Sequence, residues 1–342
     1  MLAAGRRGEN DNMKYSLQSL VIVVALLSVR AAAEEGKNPL PPEFESRLKW
    51  LPENTETLVG AAKFTVTAKS IAIPLGGQDL MPHLRLLILA PIIVLDEGKV
   101  WEPLAEEKIS LALSGGRNFE TVSAFGSQRS EGCTVIVFEN ELAERGQTWL
   151  KGVRPRAKEI RKIGEREVLV FPSTVVMEGA FELKPWQGTF IVLLDSKTLL
   201  CATSDAFLKE TLERIDRPVT GRSLPNKLLE WKSLDPASLV WMIRHVPDQE
   251  GARRLEGIVW NQSEKESKVN YFPAPGKSAV IEKFARRRWT RGVPGKSTAK
   301  VERTPGGLVT VSAATGGSNE SDFLLALNHY VLLGESGSEA ED

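Results

Sequence analysis

The feature that most restricts what this chain can fold into is a series of short runs rich in Val, Ile, Leu and aromatic residues, each bounded by Gly, Ser, Pro or Asp. Runs of that length and makeup predict β-strands, and here they come twice in the same order. Thr57-Leu58-Val59 follows Leu51-Pro52, and Ser238-Leu239-Val240 follows Leu234-Asp235-Pro236, so each reads as a loop feeding a strand. Residues 108–113 (KISLAL) answer 255–260 (LEGIVW), and 133–138 (CTVIVF) answer 268–272 (KVNYF). A helix follows each second strand, at 142–150 and at 279–289; in the latter, Val280, Ile281, Phe284 and Ala285 share one face at helical spacing. Strand pairs come next, at 157–160 with 167–171 and at 299–302 with 308–311, the last two joined by the turn sequence Pro305-Gly306-Gly307.

The first half adds residues 188–203 (GTFIVLLDSKTLLCAT), a hairpin turning at Asp195-Ser196-Lys197, and then a helix that opens at Ser204-Asp205. Ser at that position caps the free amides of a first turn, and Leu208, Leu212 and Ile215 give the helix an apolar stripe. The second half closes with an apolar helix at 323–333. Strand runs followed by amphipathic helices, twice over, predict an α+β fold of two similar halves, 51–233 and 234–333, with mainly antiparallel sheet and packed helices. A parallel, doubly wound α/β sheet is the alternative, because strand-helix-strand stretches occur in both halves. With 42% hydrophobic and 26% charged residues in 342, the chain can bury a sizeable core. Residues 34–50 read as a Pro-rich linker and 334–342 as a disordered acidic tail.

The N-terminus carries a compartment signal. Met13-Lys14 opens a short positive region, residues 17–29 (LQSLVIVVALLSV) are apolar, and Arg30 precedes the small residues Ala31-Ala32-Ala33. That order predicts a signal peptide over 1–33, cleaved to leave Glu34 first, with Met13 fitting the rule for a start better than Met1. Thirteen residues fall short of the roughly 20 that a spanning helix needs. The later run at 84–95 carries Arg85 and is interrupted by Pro91, which predicts a buried helix ending at Pro91, or a helix then a strand, and no transmembrane span after cleavage. The expected location is therefore extracytoplasmic, periplasmic or secreted.

Three of these features together, Leu51-Pro52-Glu53-Asn54-Thr55, the hairpin at 195–200 ahead of Ser204-Asp205, and the restart at Leu234-Asp235-Pro236, resemble uncharacterised exported proteins of planctomycete-type bacteria. The resemblance spans roughly 51–333 and lies in the order of elements. It implies an extracytoplasmic protein without known catalysis and supplies no functional residue.

Chemical motifs give little. Gly295-Lys296-Ser297-Thr298 and Gly276-Lys277-Ser278 end like phosphate-binding loops, but Thr290 and Tyr271 stand where the leading Gly is needed, and Pro273 and Pro275 remove amide donors. Ser114-Gly115-Gly116 and Gly126-Ser127 lack the glycines of a nucleophile elbow. The three histidines, His83, His245 and His329, are far apart, and no two His or Cys fall at metal-ligand spacing. No cofactor is expected, and a formal charge of zero argues against a nucleic-acid partner. An extracytoplasmic hydrolase with a dispersed site stays open as the alternative to a non-catalytic envelope protein.

Charge and cysteine placement give the remaining candidates. Lys151, Arg154, Arg156, Lys158, Arg161, Lys162 and Arg166 cluster after the first helix, against Glu159 and Glu165; Lys283, Arg286, Arg287, Arg288, Arg291, Lys296, Lys300 and Arg303 cluster in and after its counterpart, against Glu282 and Glu302. Cations suit helix C-termini and edge strands, and they equally suit a surface for an anionic envelope component or acidic protein. Cys133 and Cys201, the chain's two cysteines, are a candidate disulfide in an oxidising compartment.

Overall fold

Tight turns fix the direction of several neighbouring strand pairs in this chain. The computed structural model describes residues 40–65, 104, 107–121, 128–171, 188–235, 237–245, 254–263, 265–291 and 299–314. A short helix, α1 (Pro42–Leu48), leads into β1 (Thr57–Thr65), β2 (Lys108–Thr121) and β3 (Gln128–Phe138). Then come α2 (Ala143–Val153), a 3-10 turn (Arg154–Arg156), β4 (Glu159–Ile163) and β5 (Arg166–Phe171). β6 (Thr189–Leu193) and β7 (Thr198–Ala202) precede α3 (Asp205–Asp216) and a second 3-10 turn (Leu229–Ser233). The chain continues through β8 (Val240–His245), β9 (Leu255–Gln262), β10 (Glu266–Pro273), α4 (Ser278–Arg291), β11 (Lys300–Arg303) and β12 (Val309–Ala314).

All twelve strands form one sheet in the order β11-β12-β10-β9-β8-β1-β2-β3-β7-β6-β5-β4. Every ladder is antiparallel, so the mixed α+β class holds and the parallel, doubly wound alternative is overturned. The cause is local: β4–β5, β6–β7 and β11–β12 are joined by turns too short for a parallel crossover. Gly164 and Gly307 take φ of 60° and 87° in two of these turns, a region that side-chain-bearing residues rarely adopt. In the third, the Asp195 carboxylate accepts the Lys197 amide at 2.7 Å.

Side-chain alternation splits the core into two layers, one on each face of the sheet. One face buries Val59, Ile136, Leu199, Met242, Trp260 and Val311 beneath Trp149 and Val153 of α2 and Ile281, Ala285 and Trp289 of α4. The other buries Leu58, Val135, Leu200, Ile243 and Val259 beneath Phe44 and Leu48 of α1, Phe207, Leu208 and Leu212 of α3, and Trp231. At the sheet centre β1 meets β8, and Gly60 lies opposite Trp241. A Cβ on Gly60 would fall 2.0 Å from the Trp241 ring, so the indole occupies the space that the glycine leaves. Trp241 is held from above by Phe44, whose ring centre is 5.5 Å away.

Two expectations change here. The Pro-rich segment 34–50 is not an extended linker throughout, because Pro42 starts α1, where a missing amide costs nothing, and Phe44 and Leu48 are buried. This segment is clipped in place: Ser223 donates its amide and hydroxyl to the Leu48 carbonyl, and the Arg222 guanidinium binds Glu45 while lying 4.5 Å over the Trp231 ring. The proposed halves also meet within one sheet, since the boundary at 233/234 falls just before β8, and β8 pairs directly with β1. The signal peptide at 1–33, the apolar run at 84–95, the helix at 323–333 and the acidic tail at 334–342 lie outside the described residues. Among the described residues, no helix is long and apolar enough to cross a membrane.

Candidate functional site

The first basic cluster does not form one patch, because it passes from a helix into a strand whose side chains alternate. α2 turns Trp149 and Val153 inward and leaves Lys151 exposed; Arg154 and Arg156 follow on the 3-10 turn, also exposed. Arg154 reaches Glu167 of β5 at 2.6 Å. In β4, Lys162 is opposite Glu167 and shares the α2 face, whereas its neighbour Arg161 is opposite Val168 on the other face. There Arg161 pairs with Asp205 of α3 and lies 5.2 Å from the Phe190 ring centre. Arg166 is bound to Asp216 at the end of α3, at 2.6 Å. That hydrogen bond holds the Asp216 carboxyl below its usual range and raises the Arg166 guanidinium. The candidate surface therefore keeps Lys151, Arg156 and Lys162, while Arg154 is taken up in fastening the end of α2 to β5, and Arg161 and Arg166 in fastening β4 and β5 to α3.

The second cluster sits on α4. Its inner face buries Ile281, Ala285 and Trp289, and the indole NH of Trp289 donates to the buried Tyr271 hydroxyl at 2.8 Å. Burial raises the Tyr271 phenol above its ordinary range, so the oxygen stays protonated. Arg286 is anchored: it donates to Glu282 and to the Val301 carbonyl of β11, each at 2.9 Å. Lys283 and Arg287 are exposed on the outward side. Arg288 and Arg291 are helical in backbone, and their side chains lie outside the described residues. α2 and α4 thus stand on the same face of the sheet, each with a buried Trp and with cations outward.

The one described histidine belongs to a different arrangement. His245 ends β8, and its Nδ1 lies 2.5 Å from the Glu230 carboxylate of the second 3-10 turn. Glu230 is only 3% exposed, and sequence reasoning missed it. Its signal is Gly257, the residue opposite His245 on β9, where a Cβ would fall 2.1 Å from the Glu230 carboxylate. No hydroxyl or thiol among the described residues hydrogen-bonds to His245. The pair ties the 3-10 turn to the end of β8. His83 and His329 lie outside the described residues. Among the described residues no three His, Cys, Asp or Glu side chains are grouped as a metal site would require.

The cysteines are free and buried, which corrects the candidate disulfide. Cys133 pairs in register with Ala202, and Thr134 with Cys201. Neighbours one position out of register point to opposite faces, so Cys133 lies under α3 and Cys201 under α2. Burial pushes both thiols well above their usual range, where thiolate chemistry is suppressed.

Comparison with protein-family models, curated proteins and solved structures found no match.

Proposed function

We propose that this is an exported, non-catalytic protein of the cell envelope whose α2 and α4 layer binds an anionic envelope component. The observation that carries this reading is that both cation-bearing helices pack on one face of a single sheet, each through a buried Trp, with Lys151, Arg156, Lys283 and Arg287 outward. Ion pairs such as Arg154–Glu167 and Arg286–Glu282 take up part of the charge on this face, as Arg214–Glu53 and Lys209–Asp205 do on the other. Export rests on the apolar segment 17–29 and the Ala triplet that follows it.

The same reading takes the chain as an internal duplication. α2 follows β3 as α4 follows β10, and the antiparallel β1–β8 pair at the centre is compatible with a local two-fold axis relating the two sets. Such an axis, normal to the sheet, carries α2 and α4 to the same face.

The test uses the mature chain beginning at Glu34 and a native envelope fraction. Attraction between exposed charges is screened over about 8 Å at physiological salt. Cosedimentation should therefore be strong at low salt and fall steeply as salt rises. Salt-independent binding, or none at low salt, would overturn the proposal.

A further inference from the structure

We infer that the anionic partner is a flexible, extended polymer that bridges α2 and α4, and not a flat anionic surface; this inference rests on the binding layer proposed above. The argument starts from where the helices are tied. α4 is fixed over β10 and β11, through Trp289 to Tyr271 and Arg286 to the Val301 carbonyl. α2 is fixed over β5 to β7: the Leu142 amide at its start donates to the Ser196 carbonyl in the β6–β7 turn, and Arg154 at its end binds Glu167.

Between β10 and β7 the sheet order runs through β9, β8, β1, β2 and β3. At about 4.8 Å per strand, those inter-strand steps separate the two helices by roughly 30 Å. Each step also twists the sheet by about 20°, which adds to about 120° between the two ends. With that twist, the two cationic faces share a sheet face yet look outward in widely different directions.

A planar surface that meets the Lys151 and Lys162 side therefore turns away from the Lys283 and Arg287 side. A chain of negative charges follows the curve and reaches both. Once one helix holds it, the second contact becomes intramolecular, and linked contacts of this kind raise affinity by about 10²–10⁴-fold without any new interaction.

Poly-L-glutamate of defined length is a suitable probe, because an extended residue reaches about 3.5 Å. Six residues then span roughly 20 Å and cannot bridge, whereas thirty residues span roughly 100 Å and can. The mature protein is titrated with both lengths at equal total carboxylate, and with vesicles containing one third anionic lipid. Two variants are compared, Lys151→Glu with Lys162→Glu, and Lys283→Glu with Arg287→Glu, each first shown to melt as the parent does.

The expected result is at least about 100-fold tighter binding of the thirty-residue chain than of the six-residue one, with either double variant reducing the long chain to the affinity of the short one. Equal affinity for both lengths would overturn the bridge and leave the cationic layer standing. Tighter binding to vesicles than to the long chain, lost in both variants, would replace the polymer by a flat surface. No binding to any of the three would overturn the cationic layer itself.

Discussion

At the scale of single residues, what the fold needs and what the sequence displays are different things. Ser204 shows both: as an N-cap its side chain accepts the Phe207 amide, and it was legible because capping chemistry is local. Replacing Ser204 by Ala should cost about 1 kcal/mol in a denaturant titration. Glu230 was not legible, since a carboxylate buried by a histidine fifteen positions away leaves no local pattern. Gly257→Ala should displace Glu230 and cost about 1–3 kcal/mol; an unchanged denaturation midpoint would show that the carboxylate has room to move. The cysteines read as a pair only while their faces were unknown. In native protein neither thiol should react with an alkylating reagent, and both should react after unfolding without reductant. For the Arg166–Asp216 pair the pH dependence has a definite sign. The folded Asp216 pKa is depressed, so its contribution is present above the unfolded value of about 3.9 and is lost as pH falls through the lower folded one. The pair is partly exposed, and its worth is under about 1 kcal/mol. Asp216→Asn should therefore lower stability slightly at neutral pH, with the difference vanishing in acid.

At the scale of elements, the strands were read from their Val, Ile and aromatic content and the helices from their apolar stripes, because those patterns repeat over a few residues. α1 escaped this reading: its prolines suggested extension, yet it buries Phe44 and Leu48 and lays Phe44 against Trp241, a contact nearly two hundred residues distant in sequence. Pairing order escaped for the same reason. The ladder that joins the two sets of strands depends on Gly60 making way for Trp241. Gly60→Ala should destabilise by about 3 kcal/mol, the upper end of overpacking costs. Pairing the change with Trp241→Leu should recover part of that loss, and a double variant no better than the single would contradict the close approach. Under α4, Tyr271→Phe leaves the Trp289 indole NH without its acceptor and should cost about 1–3 kcal/mol.

For the whole molecule, the edge strands support the plain reading of part of the charge. β4 and β11 end the described sheet and carry Glu159, Arg161 and Lys162 on one and Lys300, Glu302 and Arg303 on the other, which discourages edge-to-edge pairing. What remains of the basic clusters is the outward side of α2 and α4, together with Lys162, whose side chain shares their sheet face. That both helices share a sheet face was beyond reach of the sequence, because it follows from the β1–β8 pairing and not from any run of residues. The export proposal makes its own prediction, that N-terminal sequencing of the envelope-localised protein begins at Glu34; an N-terminus at Met1 or Met13 would replace the cleaved signal by a retained anchor.

The central claim is that one layer of this molecule binds an anionic envelope component, and matched charge reversals test it most directly. One variant reverses Lys151, Lys162, Lys283 and Arg287 to Glu on the α2–α4 side. Its control reverses the exposed lysines Lys49, Lys209, Lys227 and Lys232, which belong to the segments on the other face or beside them. Both change the net charge equally, and exposed substitutions should alter stability by only about 0.5 kcal/mol each. In cosedimentation with the native envelope fraction at low salt, the account predicts that the first variant stays in solution while the control sediments like the parent. Equal loss in both would reduce the effect to net charge, and full binding by the first would contradict the assignment of the layer.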